Sequence, residues 1–229
     1  MMKFLKATIV ASLLAAPLSW ANAQTPTEVA ANRVGDRDSM YEVTITNITR
    51  GSLFSPILVA SHREGVSLFA LGQPASVELA HIAEGGNIDP LKRVLQADDR
   101  VFDIADSGGP LMPGQSVTVR VGAQGVDQIS LAAMIVPTND GFIALNGVQA
   151  PRSGSVTYSI PGYDAGTELN DENCASIPGP QCGGQGFSEA DGEGFVHIHR
   201  GIHGIADLKA EDYDWRNPVA SVTIKKFTR

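Results

Sequence analysis

The sequence predicts an all-β fold, an antiparallel β-sandwich of about eight strands with one or two short helices in its connections. Three observations predict it. Apolar and polar residues alternate with the two-residue period of a strand in segment after segment. Gly- and Pro-containing turn signals separate those segments at short, regular intervals. Helical patterns are confined to two short neighbouring stretches between 74 and 99.

The elements follow in order. In "MYEVTITNIT", Tyr41, Val43 and Ile45 share one face and Glu42, Thr44 and Thr46 the other, the mark of a strand with one buried side. "SPILVASH" is a second apolar segment. "PASVELAHIAEGG" spaces Val77, Leu79, Ala80 and Ile82 as a helix that ends at a Gly pair. "NIDPLKRVLQADD" offers Asp89 as N-cap and Pro90 at the first helical position. "QSVTVRVG" alternates cleanly. "ISLAAMIVP" is continuously apolar, as a central strand covered on both faces would be. "GFIALNGV", "SVTYSIP", "GFVHIH" and "VASVTIKKF" complete the strands. "DSGGPLMPGQS" reads as a loop; Ser107 within it resembles a serine-protease pattern but has no accompanying His and Asp motifs. Trp215 in "YDWRNP" reads as a core or corner aromatic, with Asp214 placed to pair with Arg216 or to cap a turn.

Residues 1–23 read as a signal peptide: Lys3 and Lys6, an apolar stretch too short to span a bilayer, and an Ala21-Asn22-Ala23 cleavage site. A flexible lead-in, 24–40, and a single domain, 41–229, follow. With no later transmembrane segment and no lipobox cysteine, the expected product is exported, either periplasmic or secreted. Cleavage leaves 15 basic against 25 acidic side chains. That balance argues against nucleic acid, which needs a basic patch. Cys174 and Cys182 are the only cysteines, and export makes a disulfide the expected state. Closing that small loop is worth on the order of 2–3 kcal/mol. A thiolate metal pair is the alternative, but the eight-residue spacing matches no common zinc pattern.

Acidic groups are delivered into loops directly after strands. "MIVPTNDGF" brings Asp140, and "SIPGYDAGTELNDE" brings Asp164, Glu168, Asp171 and Glu172. Calcium takes six to eight oxygens, and loops gathered at one end of a sandwich can supply them. A divalent cation also relieves the repulsion of clustered carboxylates. Solvated acidic loops with no metal are the plainer reading, and no EF-hand spacing is present.

"LFALGQPASVELAHIAEGG", "MIVPTNDGFIALNGV", "YDAGTELNDE" and "YDWRNPVASVTI", in that order, resemble the spondin domain, found at the N-terminal side of F-spondin and in bacterial exported proteins. The resemblance covers 41–227. It implies an eight-stranded antiparallel β-sandwich similar to calcium-dependent membrane-binding domains. It implies one Ca2+ ion, with ligands falling on Asp140, Asp164 and Glu168. The last replaces the family's Asp by a side chain one methylene longer that is still an oxygen ligand. It implies no catalysis: animal members belong to matrix and adhesion proteins. A binding or adhesion module is expected, whose partner is a surface protein, a polysaccharide or a lipid head group.

The histidines offer a second reading. Alternation along "FVHIHR" sets Phe195, His197 and His199 on one face, Val196 and Ile198 on the other. The turn at Gly201 allows His203 to swing back towards them. Three imidazoles suit zinc or copper, and would make the protein a histidine-dependent metalloprotein. Equally, each imidazole can satisfy buried backbone groups with no metal at all.

Overall fold

The computed structural model of the protein describes residues 39–122, 124, 128–188 and 191–228. The expected signal peptide and all but the last two residues of the expected lead-in lie outside the described residues. Those two, Ser39 and Met40, already belong to the first strand.

Among the described residues eleven strands form two antiparallel sheets. The smaller has the order β5 (Ser116–Gly122), β1 (Ser39–Asn47), β11 (Ala220–Thr228), β8 (Ser155–Ile160). The larger runs β10 (His197–Ile198), β9 (Gly162–Asp164), β7 (Gly141–Gln149), β6 (Gln128–Val136), β3 (Leu58–His62), β4 (Val101–Asp106), with β2 (Leu53–Phe54) also paired to β6. Eight of the eleven have five residues or more, the number expected; the other three, β2, β9 and β10, have two or three.

The sandwich core follows from strand alternation. Tyr41, Val43 and Ile45 of β1 point inwards with Val119, Val121, Val222 and Ile224, and meet Val59, Ile129, Leu131, Ala133, Ile135 and Ile143 of the larger sheet. The opposite positions of β1 and its neighbours carry hydroxyls that pair across the solvent face. Thr44 meets Thr118 at 2.8 Å and Thr46 meets Ser116 at 2.7 Å.

The larger sheet has a second covered face, and this accounts for the unbroken apolar run of β6. Its Ala132, with Leu58 and Ala60 of β3, packs under α1 (Val77–Gly85) and α2 (Asp89–Ala97) through Ile82, Leu91 and Leu95. Phe142 and Ala144 of β7 pack against Leu79 and Ala83 of α1. Ser76 caps α1 by accepting the Leu79 N–H at 3.2 Å, and the helix ends at Gly86 as the Gly pair predicts. For α2 the expected cap is displaced by one residue: Asp89 is the first helical residue, Ile88 stands at the N-cap with no side-chain cap, and Asn87 Oδ1 accepts the Asp89 N–H at 3.1 Å. A single turn, α3 (Ala210–Tyr213), precedes Trp215, which is buried in the core as expected, and Asp214 pairs with Arg216. Ser107 serves the loop, accepting the Ile57 N–H and donating to the Gly109 carbonyl. Cys174 and Cys182 are joined in a disulfide. Among the described residues no helix is long and apolar enough to cross a membrane.

Leu131 is 1% exposed at the centre of this arrangement. Leu131→Ala is expected to cost about 2–5 kcal/mol, read as a lower urea midpoint with an unchanged slope. Thr44→Ala, on the solvent face, is expected to stay within about 0.5 kcal/mol of the wild type.

Candidate metal centre

Two strand registers build the centre. Across β7 and β9, Gly141 stands opposite Asp164, so the residue before Gly141, Asp140, is held beside that carboxylate. Across β9 and β10, Asp164 stands opposite His197. Thr138 folds the turn that presents Asp140: its hydroxyl donates to the Ile135 carbonyl at 2.6 Å and accepts the Gly141 N–H at 2.9 Å.

All three expected ligands are buried. Asp140 is 0% exposed; its Oδ2 accepts the Thr167 and Glu168 N–H groups at 2.7 and 3.1 Å, while Oδ1 has no partner. Asp164 is also fully buried; Oδ1 accepts the Gly166 N–H at 2.9 Å and Oδ2 accepts the Asn170 amide at 2.7 Å. Glu168 Oε1 accepts the Ser188 hydroxyl at 2.5 Å, and its Oε2 has no partner. Among the described residues no Lys or Arg nitrogen lies within 4.0 Å of these carboxylates; the one ion-pair-type neighbour is the imidazole of His197.

The electrostatics follow from that imbalance. Burial, reinforced by the charge of Asp164, pushes Asp140 up to about 7. Burial also pushes Glu168 up to about 7, against the Ser188 hydrogen bond and with the charges of Glu84, Asp140 and Asp171 adding to it. Burial raises Asp164, opposed by the Asn170 amide and by His197. Glu84 of α1 joins the group from the other side. It is 1% exposed, Oε2 accepts the Ser188 N–H at 2.9 Å, Oε1 has no partner, and burial raises its pKa. A cavity of about 520 Å³, lined by Asn139, Glu168, Asp171, Ser188 and Asp191, opens onto Glu168.

The other acidic residues of that loop do different work. Glu172, with φ 57°, accepts the His203, Gly204 and Ile205 N–H groups at 2.6, 2.7 and 3.0 Å and so ties down the loop after the histidines. Asp171 accepts the Asn139 amide at 3.0 Å.

The three histidines are dispersed into three environments. The expected alternation fails because β10 is only two residues long: Val196 is buried, and Ile198 is 47% exposed. His197 is half-buried, its Nε2 3.4 Å from Asp164 Oδ1. His199 is buried against Trp215, ring centroids 5.1 Å apart; Nδ1 accepts the Gly201 N–H, and burial holds the imidazole down to about 3. His203 is exposed. Among the described residues one group of metal-type donors has atoms all within 4.8 Å of one another, and its members are Asp164, Glu193 and His197. It contains one of the three expected carboxylates and one of the three histidines.

Glu193 escapes sequence reading because it lies 29 positions from Asp164 and matches no ligand spacing. The local signal is its setting between Gly192 and Gly194. A Cβ at Gly192 would sit 2.4 Å from the Gly166 carbonyl oxygen, and one at Gly166 would sit 2.3 Å from that of Phe195. Glycine at both places lets the 191–195 backbone lie directly on the 165–168 loop and carries Glu193 to Asp164.

The Spondin_N family model matches residues 46–173, more than half of the 229-residue chain. The match takes in Asp140, Asp164 and Glu168 and stops short of Glu193 and His197. Among curated proteins no sequence matches the chain. The two-sheet antiparallel architecture agrees with the family match, and the chain belongs to the spondin N-terminal domain family, as a disulfide-containing β-rich domain of extracellular type.

Proposed function

We propose that this protein is an exported, non-catalytic module that binds one Ca2+ ion at the end of its sandwich through Asp140, Asp164 and Glu168, and uses the ordered loops to engage a partner. The observation that carries the reading is the pair of orphaned buried oxygens, Asp140 Oδ1 and Glu168 Oε2, in a cluster with no Lys or Arg. Every other oxygen of the three carboxylates has a donor. A buried polar atom without a partner is rare and costly, and more so when charged. A hard, oxygen-seeking dication meets that deficit, and water entering by the Glu168 cavity can complete a coordination shell of six to eight. When bound, the ion would supply positive charge that holds the 138–141 and 164–171 loops together. The partner class consistent with an acidic exported module is a surface protein, a polysaccharide or a lipid head group met through the cation.

Two outcomes test this. Calcium at ~100 times its dissociation constant adds about 2.7 kcal/mol to native-state stability. The thermal midpoint is therefore expected to rise by roughly 5–10 °C over chelator. That rise should vanish in Asp164→Asn and persist in His203→Ala. A wild-type midpoint that ignores calcium would sink the proposal.

The second outcome concerns pH in chelator. Glu168 has a folded pKa of about 7 against an ordinary 4.5. Its contribution is fully present below about 4.5 and is lost as pH rises through about 7. His199 runs the other way: held at about 3 against 6.5, its contribution is full above about 6.5 and is lost on acidification. A wild-type minus variant comparison removes the His199 effect. Glu168→Gln is expected to melt close to the wild type near pH 4 and above it near pH 8. Saturating calcium should reverse the order near pH 8.

A further inference from the structure

We propose that Asp164, Glu193 and His197 form a second kind of metal site, one for a divalent transition ion of the zinc type. It shares Asp164 with the carboxylate centre but does not depend on that centre binding calcium.

The geometry starts from the β9–β10 register. Asp164 and His197 are cross-strand partners, and Nε2 lies 3.4 Å from Oδ1. Nδ1 of the same ring is 3.0 Å from the Ile198 carbonyl, which can only accept. With Nδ1 engaged there, Nε2 is the ring atom that faces Asp164 and Glu193. This is the arrangement by which metal-binding imidazoles are oriented. A four-coordinate ion with bonds of about 2.0–2.1 Å sets neighbouring ligand atoms roughly 3.4 Å apart, the separation found.

The carboxylates are oriented in the same manner. The Asn170 amide donates to Asp164 Oδ2 at 2.7 Å and to Glu193 Oε1 at 3.3 Å. One amide thus steers two ligands, and the Arg200 guanidinium donates to the backbone carbonyl of the same residue at 2.6 Å. The neighbouring Asp140, fully buried, feels the charges of both Asp164 and Glu193 and leaves Oδ1 without a partner. One imidazole and two carboxylates are a donor set that zinc accepts readily, whereas calcium seeks oxygen alone. Glu193 is exposed and His197 half-buried, so the ion can enter from solvent and keep a water. Glu193 and His197 lie beyond the segment matched by the family model, and Asp164 lies within it.

The test is calorimetric titration of the purified protein with zinc chloride in calcium-free buffer, repeated with cobalt(II) chloride followed by visible absorption. The expected result is one zinc per chain and cobalt bands of four-coordinate intensity. His197→Gln and Glu193→Gln should each weaken zinc binding at least about ten-fold and abolish the cobalt bands. Glu168→Gln, which removes a calcium ligand only, should leave zinc binding intact. Because Glu193 and His197 lie on a loop and an edge strand, both variants are expected to keep the wild-type melting point in chelator. No zinc binding up to about 0.1 mM would overturn the proposal. So would binding undiminished in both His197→Gln and Glu193→Gln, which would mark a surface ion. Loss of the calcium response with zinc binding retained would overturn the calcium reading alone.

Discussion

The end of this sandwich is organised by one unresolved charge balance: carboxylates taken out of water without a Lys or Arg to meet them. Burying an ionised carboxylate costs several kcal/mol unless its lone pairs are satisfied. The fold satisfies some of them with its own donors. Thr167 and Glu168 give N–H groups to Asp140, Gly166 and Asn170 serve Asp164, and Ser188 spans Glu84 and Glu168. Three oxygens are left over, one each on Asp140, Glu168 and Glu84. On each of these three one oxygen is locked by hydrogen bonds and the other is left without a donor, whereas both oxygens of Asp164 are satisfied.

What keeps the group from relaxing is the rigidity behind it. Asp140 and Asp164 sit at the ends of strands whose other residues are committed to packing. Ile143 of β7 is in the sandwich core, Phe142 is against α1, and the Phe142, Tyr163 and Phe69 rings pack together with centroids 5.0–5.5 Å apart. Turning either carboxylate out to solvent would require breaking the β7–β9 ladder or moving those rings. Packing free energy spread over the core thus offsets electrostatic cost concentrated at one edge, a common division of labour between scaffold and site.

The scaffold was legible in the sequence because its signals are local. A period of two marks β1 and β5, a continuous apolar run marks β6, and a Gly pair marks the end of α1. Even the second helix layer was implicit, since β6 could be apolar throughout only if something covered its far face. The site was legible only in part. Asp140, Asp164 and Glu168 fall in ordered motifs and are all buried where the loops meet. Glu193 was not, because nothing in a one-dimensional pattern says that two glycine-relieved loops will touch. The histidines show the opposite failure. Their period of two is real, but a strand needs neighbours to hold its alternation, and β10 pairs through only two residues at the sheet's edge.

The three histidines therefore have three different tasks. His203 lends only its backbone N–H to Glu172. His199 is a neutral core residue, fixed by Gly201 on one side and Trp215 on the other. Trp215 belongs to the sandwich core, so His199 faces inwards from the same short segment whose next-but-one neighbour faces the carboxylates. The Asn217 side chain, two residues beyond Trp215, accepts the Gly162 N–H at 2.9 Å and pins the start of β9. The carboxy-terminal segment thereby sets the height of Asp164, while the glycine loop before β10 sets the position of Glu193. His197 is the residue on which both constraints converge. Its imidazole is oriented by its own strand, its cross-strand partner Asp164 is fully buried, and among the described residues it is the one imidazole in the group with Asp164 and Glu193. Chemistry at this edge is decided by which donors the backbone forces together, and the count of histidines in the sequence is a poor guide to it.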